Sequence, residues 1–159
     1  MKRFVIMFIL LSMYAQISAT EYDNYFTNEQ LRIDYYIFGN AETCTYALDK
    51  YVKEPVWGGT RHNLIDSLGY GDYHFDVLLH DSDVVIYSRG YCNLFGEWQT
   101  TPEAEEVMRG FSESVIMPYP KEIVDVVFYL RDYNGNMVEK MRLTIDPDNY
   151  FIQDAPKYS

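Results

Sequence analysis

Few residues of this 159-residue chain are of types that could do chemistry, and each group has a definite requirement of geometry. The histidines are His62, His74 and His80. His74 and His80 fall on the same face of one expected strand, which separates them by ~20 Å at about 3.3 Å per residue. A single zinc ion, with bonds of about 2.1 Å, cannot take both from one straight strand. No His-Glu-x-x-His pair is present. The reading expects solvent-facing histidines, no catalytic metal and no cofactor. Asp81-Ser82-Asp83, following Asp76, is oxygen-rich in the way calcium loops are. It lacks the spaced ligands and closing glutamate of such a loop and reads as a turn. Ser88-Arg89-Gly90 is not the Gly-x-Ser-x-Gly elbow of a serine nucleophile, and Cys92 has no histidine beside it in sequence. Glu103, Glu105 and Glu106 read as acids favoured by the dipole of a helix start rather than as an acid–base pair.

The densest run of non-interchangeable residues is Ile86 to Ala104. Within it Arg89, Tyr91, Phe95, Glu97, Trp98, Gln99 and Thr100 form a candidate motif with two readings. In the structural one, Phe95 and Trp98 plug the end of the fold, Arg89 pairs with Glu97 or Asp34, and Thr100 caps a helix. An arginine suits such a role through its rigid fork of donors. In the other, Tyr91, Phe95, Trp98 and Gln99 face a neighbouring domain or ligand, since Trp, Tyr and Arg are common interface anchors. The structural reading is favoured.

The elements around these residues are mostly strands, because the dominant period is two. In 123–131, Val124, Val126, Phe128 and Leu130 share one face, and Asp125, Tyr129 and Arg131 the other. In 137–145, Met141, Leu143 and Ile145 oppose Lys140, Arg142 and Thr144. Asn134-Gly135 between them supplies the positive φ of a tight hairpin. A second hairpin is expected over 73–87, with Tyr73, Phe75, Val77 and Leu79 inward and the turn at 81–83. A further strand is expected over 31–38, where Leu31, Ile33, Tyr35 and Ile37 alternate with Arg32 and Asp34 until Gly39-Asn40. Thr100-Thr101-Pro102-Glu103 reads as a capping box, opening one short helix that Gly110 ends. The pattern indicates an all-β protein, an antiparallel, jelly-roll-like β-sandwich with one short helix. The tail, 151–159, reads as irregular.

Charge narrows the partners. The net charge is −11. Residues 1–19 carry two basic residues and no acids, so their removal takes −11 to −13. Nucleic acid needs a basic footprint, and anionic lipid needs basic clusters; neither is present. Lys2 and Arg3 precede an apolar run to about Tyr14 and then Ser18 and Ala19, the pattern of a secretory signal peptide cleaved after Ala19. The expectation is a secreted or periplasmic domain over 20–150, with no membrane contact after cleavage. In that oxidising compartment Cys44 and Cys92 are permitted to bridge, although two separate buried thiols are the favoured expectation. The chain has 16 tyrosines; Tyr22, Tyr25, Tyr35, Tyr36, Tyr46 and Tyr51, with Phe26, crowd its first third and suit either a wet core edge or sugar stacking.

Together with the run from Ile86 to Ala104, the segments Leu31-Arg32-Ile33-Asp34-Tyr35, Trp57-Gly58-Gly59, Pro118-Tyr119-Pro120-Lys121 and Ile145-Asp146-Pro147 carry a resemblance that covers roughly residues 22–150. The chain resembles the N-terminal domain of the M64 metallopeptidases, secreted IgA-peptidase-like proteins of Bacteroidales. In that family the zinc lies in a following domain, on a His-Glu-x-x-His helix. The resemblance therefore implies a non-catalytic domain that supports or positions a metallopeptidase domain, in cis or in trans, or its substrate. The alternative is a stand-alone module that binds extracellular protein or glycan.

Overall fold

The computed structural model describes residues 21–156, so the signal-peptide expectation lies outside the described residues. A short helix α1 (Glu21–Tyr25) leads into β1 (Phe26–Gly39), which turns into β2 (Cys44–Glu54). After a long loop come β3 (Tyr73–Leu79) and β4 (Val85–Tyr91), then two short helices, α2 (Leu94–Gln99) and α3 (Pro102–Glu106). The chain finishes with β5 (Arg109–Pro120), β6 (Val124–Arg131), β7 (Met137–Ile145) and β8 (Ile152–Asp154). Sheet one has the order β5-β1-β2-β8 and sheet two β4-β3-β6-β7. All pairings are antiparallel except that of β8, which lies parallel to Tyr51–Lys53 of β2.

The inward faces of both sheets form one core. Leu31, Ile33, Tyr35 and Ile37 from β1 meet Phe75 and Val77 from β3 and Val126 and Phe128 from β6, all buried. The period-two reading of these strands therefore holds, and the fold is the expected all-β sandwich. Each fully buried aliphatic side chain contributes about 1.5–3 kcal/mol against exposure, enough to fix the register of the pairing.

Several expectations need correction. Three short helices, not one, occur among the described residues. α3 stops after five residues instead of running to Gly110, because Val107 already has extended angles and β5 begins at Arg109 to pair with β1. Thr101, not Thr100, is the N-cap of α3, and its hydroxyl bonds back to Trp98 O rather than into the helix. The capping box does not close, because Glu103 is taken by the Trp98 indole and by Arg109. The tail is not wholly irregular, since β8 adds to sheet one.

The loop from 55 to 72 lies along the outer edge of β4. Ser88 N donates to Leu64 O at 3.0 Å, Asp66 N to Ser88 Oγ at 2.7 Å, and Gly90 N to Asp66 Oδ2 at 2.9 Å. Arg131 at the end of β6 clamps the same loop to the next turn, donating to Gly69 O, Gly71 O and Gly135 O. An edge covered in this way offers no free strand for another chain to pair with.

In the β6–β7 turn only Gly135 has positive φ, at 86°; Asn134 does not. Gly135 N donates to Asp132 O at 3.0 Å and Asp132 Oδ1 accepts from Asn136 N at 2.7 Å. Glycine is therefore required at one position of the expected pair. Gly135→Val should cost about 1–2 kcal/mol, because a β-branched residue resists the left-handed region. Asn134→Val should cost much less. Thermal melts of the two variants compare them directly, and equal losses would contradict this assignment.

Candidate functional site

The candidate motif sits where helices close one end of the sandwich. Asn93 caps α2, its Oδ1 accepting from Gly96 N at 2.9 Å. α2 turns Phe95 and Trp98 inward, where they meet Phe111 of β5 with all three ring centroids 5.6 Å apart. Phe95 is fully buried and Trp98 only 8 % exposed. The indole N–H of Trp98 donates to Glu103 Oε2 at 3.0 Å. Gln99 Nε2 donates to Asn40 O at 2.8 Å and so ties α2 to the β1–β2 turn. Thr100 ends α2, its hydroxyl donating to Glu97 O, while Glu97 itself is exposed.

Arg89 does not pair with Glu97 or Asp34. Its Nη1 donates to Leu64 O at 2.8 Å and Ser88 O at 2.6 Å, and its guanidinium lies 4.3 Å above the Tyr87 ring. Asp34 is out of reach because it faces outward from the other sheet, held by Arg32 and Ser114. Within the motif, Phe95 and Trp98 pack into the closed end of the sandwich, and Arg89 and Gln99 donate to backbone carbonyls.

Beneath α2 lies a polar cluster that no spacing in the sequence announced. Tyr91 Oη and Tyr35 Oη are 2.8 Å apart. Burial pushes the Tyr91 hydroxyl up to about 12, with the Tyr35 bond partly opposing. Burial also raises Tyr35, Tyr46 and Tyr73. The Tyr46 and Tyr73 hydroxyls are buried without a hydrogen-bond partner. Glu113, opposite Tyr35 on β5, joins them; burial raises its carboxyl, and the Phe95 N–H bond offsets this only in part. Phenols shifted this way stay protonated at neutral pH and cannot act as bases or nucleophiles there.

A family model described as peptidase M64 N-terminus matches residues 21–142. The chain belongs to this family. The match runs from α1 into β7 and takes in the whole motif from Arg89 to Thr100; the segment Ile145-Asp146-Pro147 lies beyond it. No curated protein matches the chain.

Elsewhere in this M64 N-terminal domain His74 is half-buried among carboxylates rather than facing solvent, while His80 is exposed as expected and also meets two carboxylates. His74, half-buried on β3, bonds Asp76 at 2.8 Å through Nε2, with Asp66 at 4.0 Å from Nδ1. His80 lies just past β3, with Nδ1 3.2 Å from Asp125 and Nε2 3.5 Å from Asp81. His62 is exposed in the 55–72 loop. Asp81 takes positive φ at 53° as a turn former. Among the described residues no group of three or more His, Cys, Asp or Glu is arranged to hold a metal ion, and no helix is long and apolar enough to cross a membrane.

Both cysteines are free, and they are not two buried thiols either. Cys44 is half-buried on β2, its thiol raised by burial, and Cys92 is exposed just after β4. The alternation on β1 carries a further signal. Extending Arg32 and Asp34 by the same period places Tyr36 and Phe38 on the outward face, and both are exposed there.

Trp98→Ala should cost about 3–5 kcal/mol, because it opens a cavity beside Phe95 and Phe111. In a Trp57→Phe background, Trp98 should emit blue-shifted light and resist acrylamide. Red-shifted, readily quenched emission from folded protein would contradict its burial. Glu113 makes the opposite kind of prediction. Its folded carboxyl lies above the unfolded value, so the stability it contributes is full below the unfolded value and lost as pH rises through the folded one. Glu113→Gln should therefore raise the melting temperature at neutral pH, and the gain should shrink as pH falls towards about 4. A Gln variant less stable at neutral pH would mean that the bond to Phe95 N–H outweighs burial.

Proposed function

We propose that this domain is the non-catalytic accessory part of a secreted zinc metallopeptidase system, supporting or positioning the protease domain or its substrate. The observation that carries the reading is the family match, which is to the N-terminus of the peptidase across most of the described fold. The chemistry-bearing residues agree with it. His74 and His80 are engaged by Asp76 and Asp125, the Tyr91 phenol is held protonated, and the Trp98 motif is spent on packing. The partner in this reading is a metallopeptidase catalytic domain, in cis or in trans. Export by the signal peptide at 1–19 would place both in the same compartment.

The test has two arms. The purified chain alone, with or without added zinc, should cleave neither casein nor immunoglobulin. Chelator-sensitive cleavage by homogeneous protein would overturn the reading. Mixed or fused with an M64 catalytic domain, it should raise kcat/KM on a folded protein substrate while leaving a short peptide substrate unaffected, because positioning acts on groups remote from the scissile bond. An unchanged kcat/KM on both substrates, with no measurable binding to the catalytic domain, would equally overturn it.

A further inference from the structure

Two aromatic side chains on the outward face of sheet one stay partly open to solvent. β1 lies between β5 and β2, and its outward residues run Gln30, Arg32, Asp34, Tyr36 and Phe38. Tyr36 is 45 % and Phe38 39 % exposed. The register fixes what stands beside them. Tyr36 lies between Ala47 and Ser112, and Phe38 between Thr45 and Gly110. All four neighbours are small. Side chains rise roughly perpendicular to a sheet, so small neighbours leave part of each ring open to a ligand. A Cβ added at Gly110 would stand 3.7 Å from the Phe38 Cβ, so a larger residue would close that flank. The two side chains leave the strand about 7 Å apart.

The same face continues into a fixed polar array. Asp34 points outward yet is only 8 % exposed. Arg32 Nε donates to it at 2.9 Å, Ser114 Oγ donates at 2.9 Å, and Lys50 stands 3.8 Å away. Arg32 also reaches Glu54 at 2.6 Å, and Gln30 donates to the same carboxylate. Exposed hydroxyls at Thr45, Ser112 and Ser114 flank the rings and the array. An open aromatic platform beside held donors and acceptors is complementary to one kind of molecule. A pyranose has an apolar C–H face, which suits the negative face of a π-system, and a rim of hydroxyls, which suits the array.

We propose that the face formed by Tyr36 and Phe38 with Thr45, Ser112 and Ser114 is a binding site for neutral glycans. Charge selects neutrality: among the described residues, Arg32 and Lys50 on this face are paired with Asp34, Glu54 and Asp49, and the chain as a whole carries −11. A sialylated or sulfated sugar would find no spare positive group here. The site goes beyond the accessory role and needs no peptidase to be observed.

The test is an amide NMR titration of the isolated chain with N-acetyllactosamine, chitotriose and mannotriose, with sialyllactose as the anionic comparison. At least one neutral probe should shift the amides of Tyr36, Phe38, Gly110 and Ser112 in the millimolar range. Tyr36→Ala and Phe38→Ala should each weaken that binding about tenfold or more. Should either variant fail to fold, Ala47→Arg decides the matter: it keeps both rings, fills the space beside Tyr36, and should also block the sugar. No shift with any neutral probe, shifts mapping elsewhere, equal binding of sialyllactose, or binding that survives Ala47→Arg would each overturn the proposal.

Discussion

The ring of Tyr35 joins the two sheets. It is fully buried on β1, stacked on Tyr46 of β2 at 5.9 Å, packed against Phe128 of β6 at 5.1 Å, and hydrogen-bonded to Tyr91 at the end of β4. Strands from both layers therefore converge on one residue. Its register is enforced from both sides, by Leu48 of β2 and Glu113 of β5. Sliding β1 by one residue would move this ring, with Ile33 and Ile37, to the outward face. The helical cap depends on the same point, since Glu113 beside Tyr35 holds the first turn of α2 through the Phe95 N–H.

What could be read in advance followed from how regular each element is. β3 and β7 were legible because one face is wetter than the other, β6 from its apolar run although both its faces are buried from Val124 to Phe128, and β4 as the return past a turn; the turns carry Asp, Asn and Gly. β2 was not, for a local reason. Its pairing with β1 shifts between Asp34 and Tyr35, so Asp49 is an extra residue and the alternation changes phase within the strand. β5 was obscured by competition: Thr101-Pro102-Glu103 advertises a helix, which then yields to pairing with β1. α2 was hidden by its own Gly96, a weak helix former that is kept close under the ring of Tyr73.

The motif was legible in its apolar half only. Phe95 and Trp98 announce burial by type, whereas Arg89 chose backbone carbonyls, which have no signature in sequence. Glu113 shows the same limit from the other side. An acid in a strand reads as outward-facing, and only the packing of four tyrosines shows it turned in. Asp34 inverts the case. It points out, yet it is nearly closed off, and burial opposes its ionisation while the bonds from Arg32 and Ser114 prevail and hold its carboxyl low. Two acids on neighbouring strands thus respond to acid in opposite senses.

The short strand β8 has a consequence for the upkeep of the molecule. It runs parallel to β2 and covers Tyr51–Lys53, with Ala155 N bonding Lys53 O at 2.8 Å. It lies beyond the matched family span, and the exposed Tyr150 and Phe151 lead into it. A protease that nicked the chain near these two residues would cut beside Ile152, the residue of β8 that packs against the core. It would also loosen the cover over a row of backbone donors and acceptors on β2, so molecules clipped there would gain an adhesive edge.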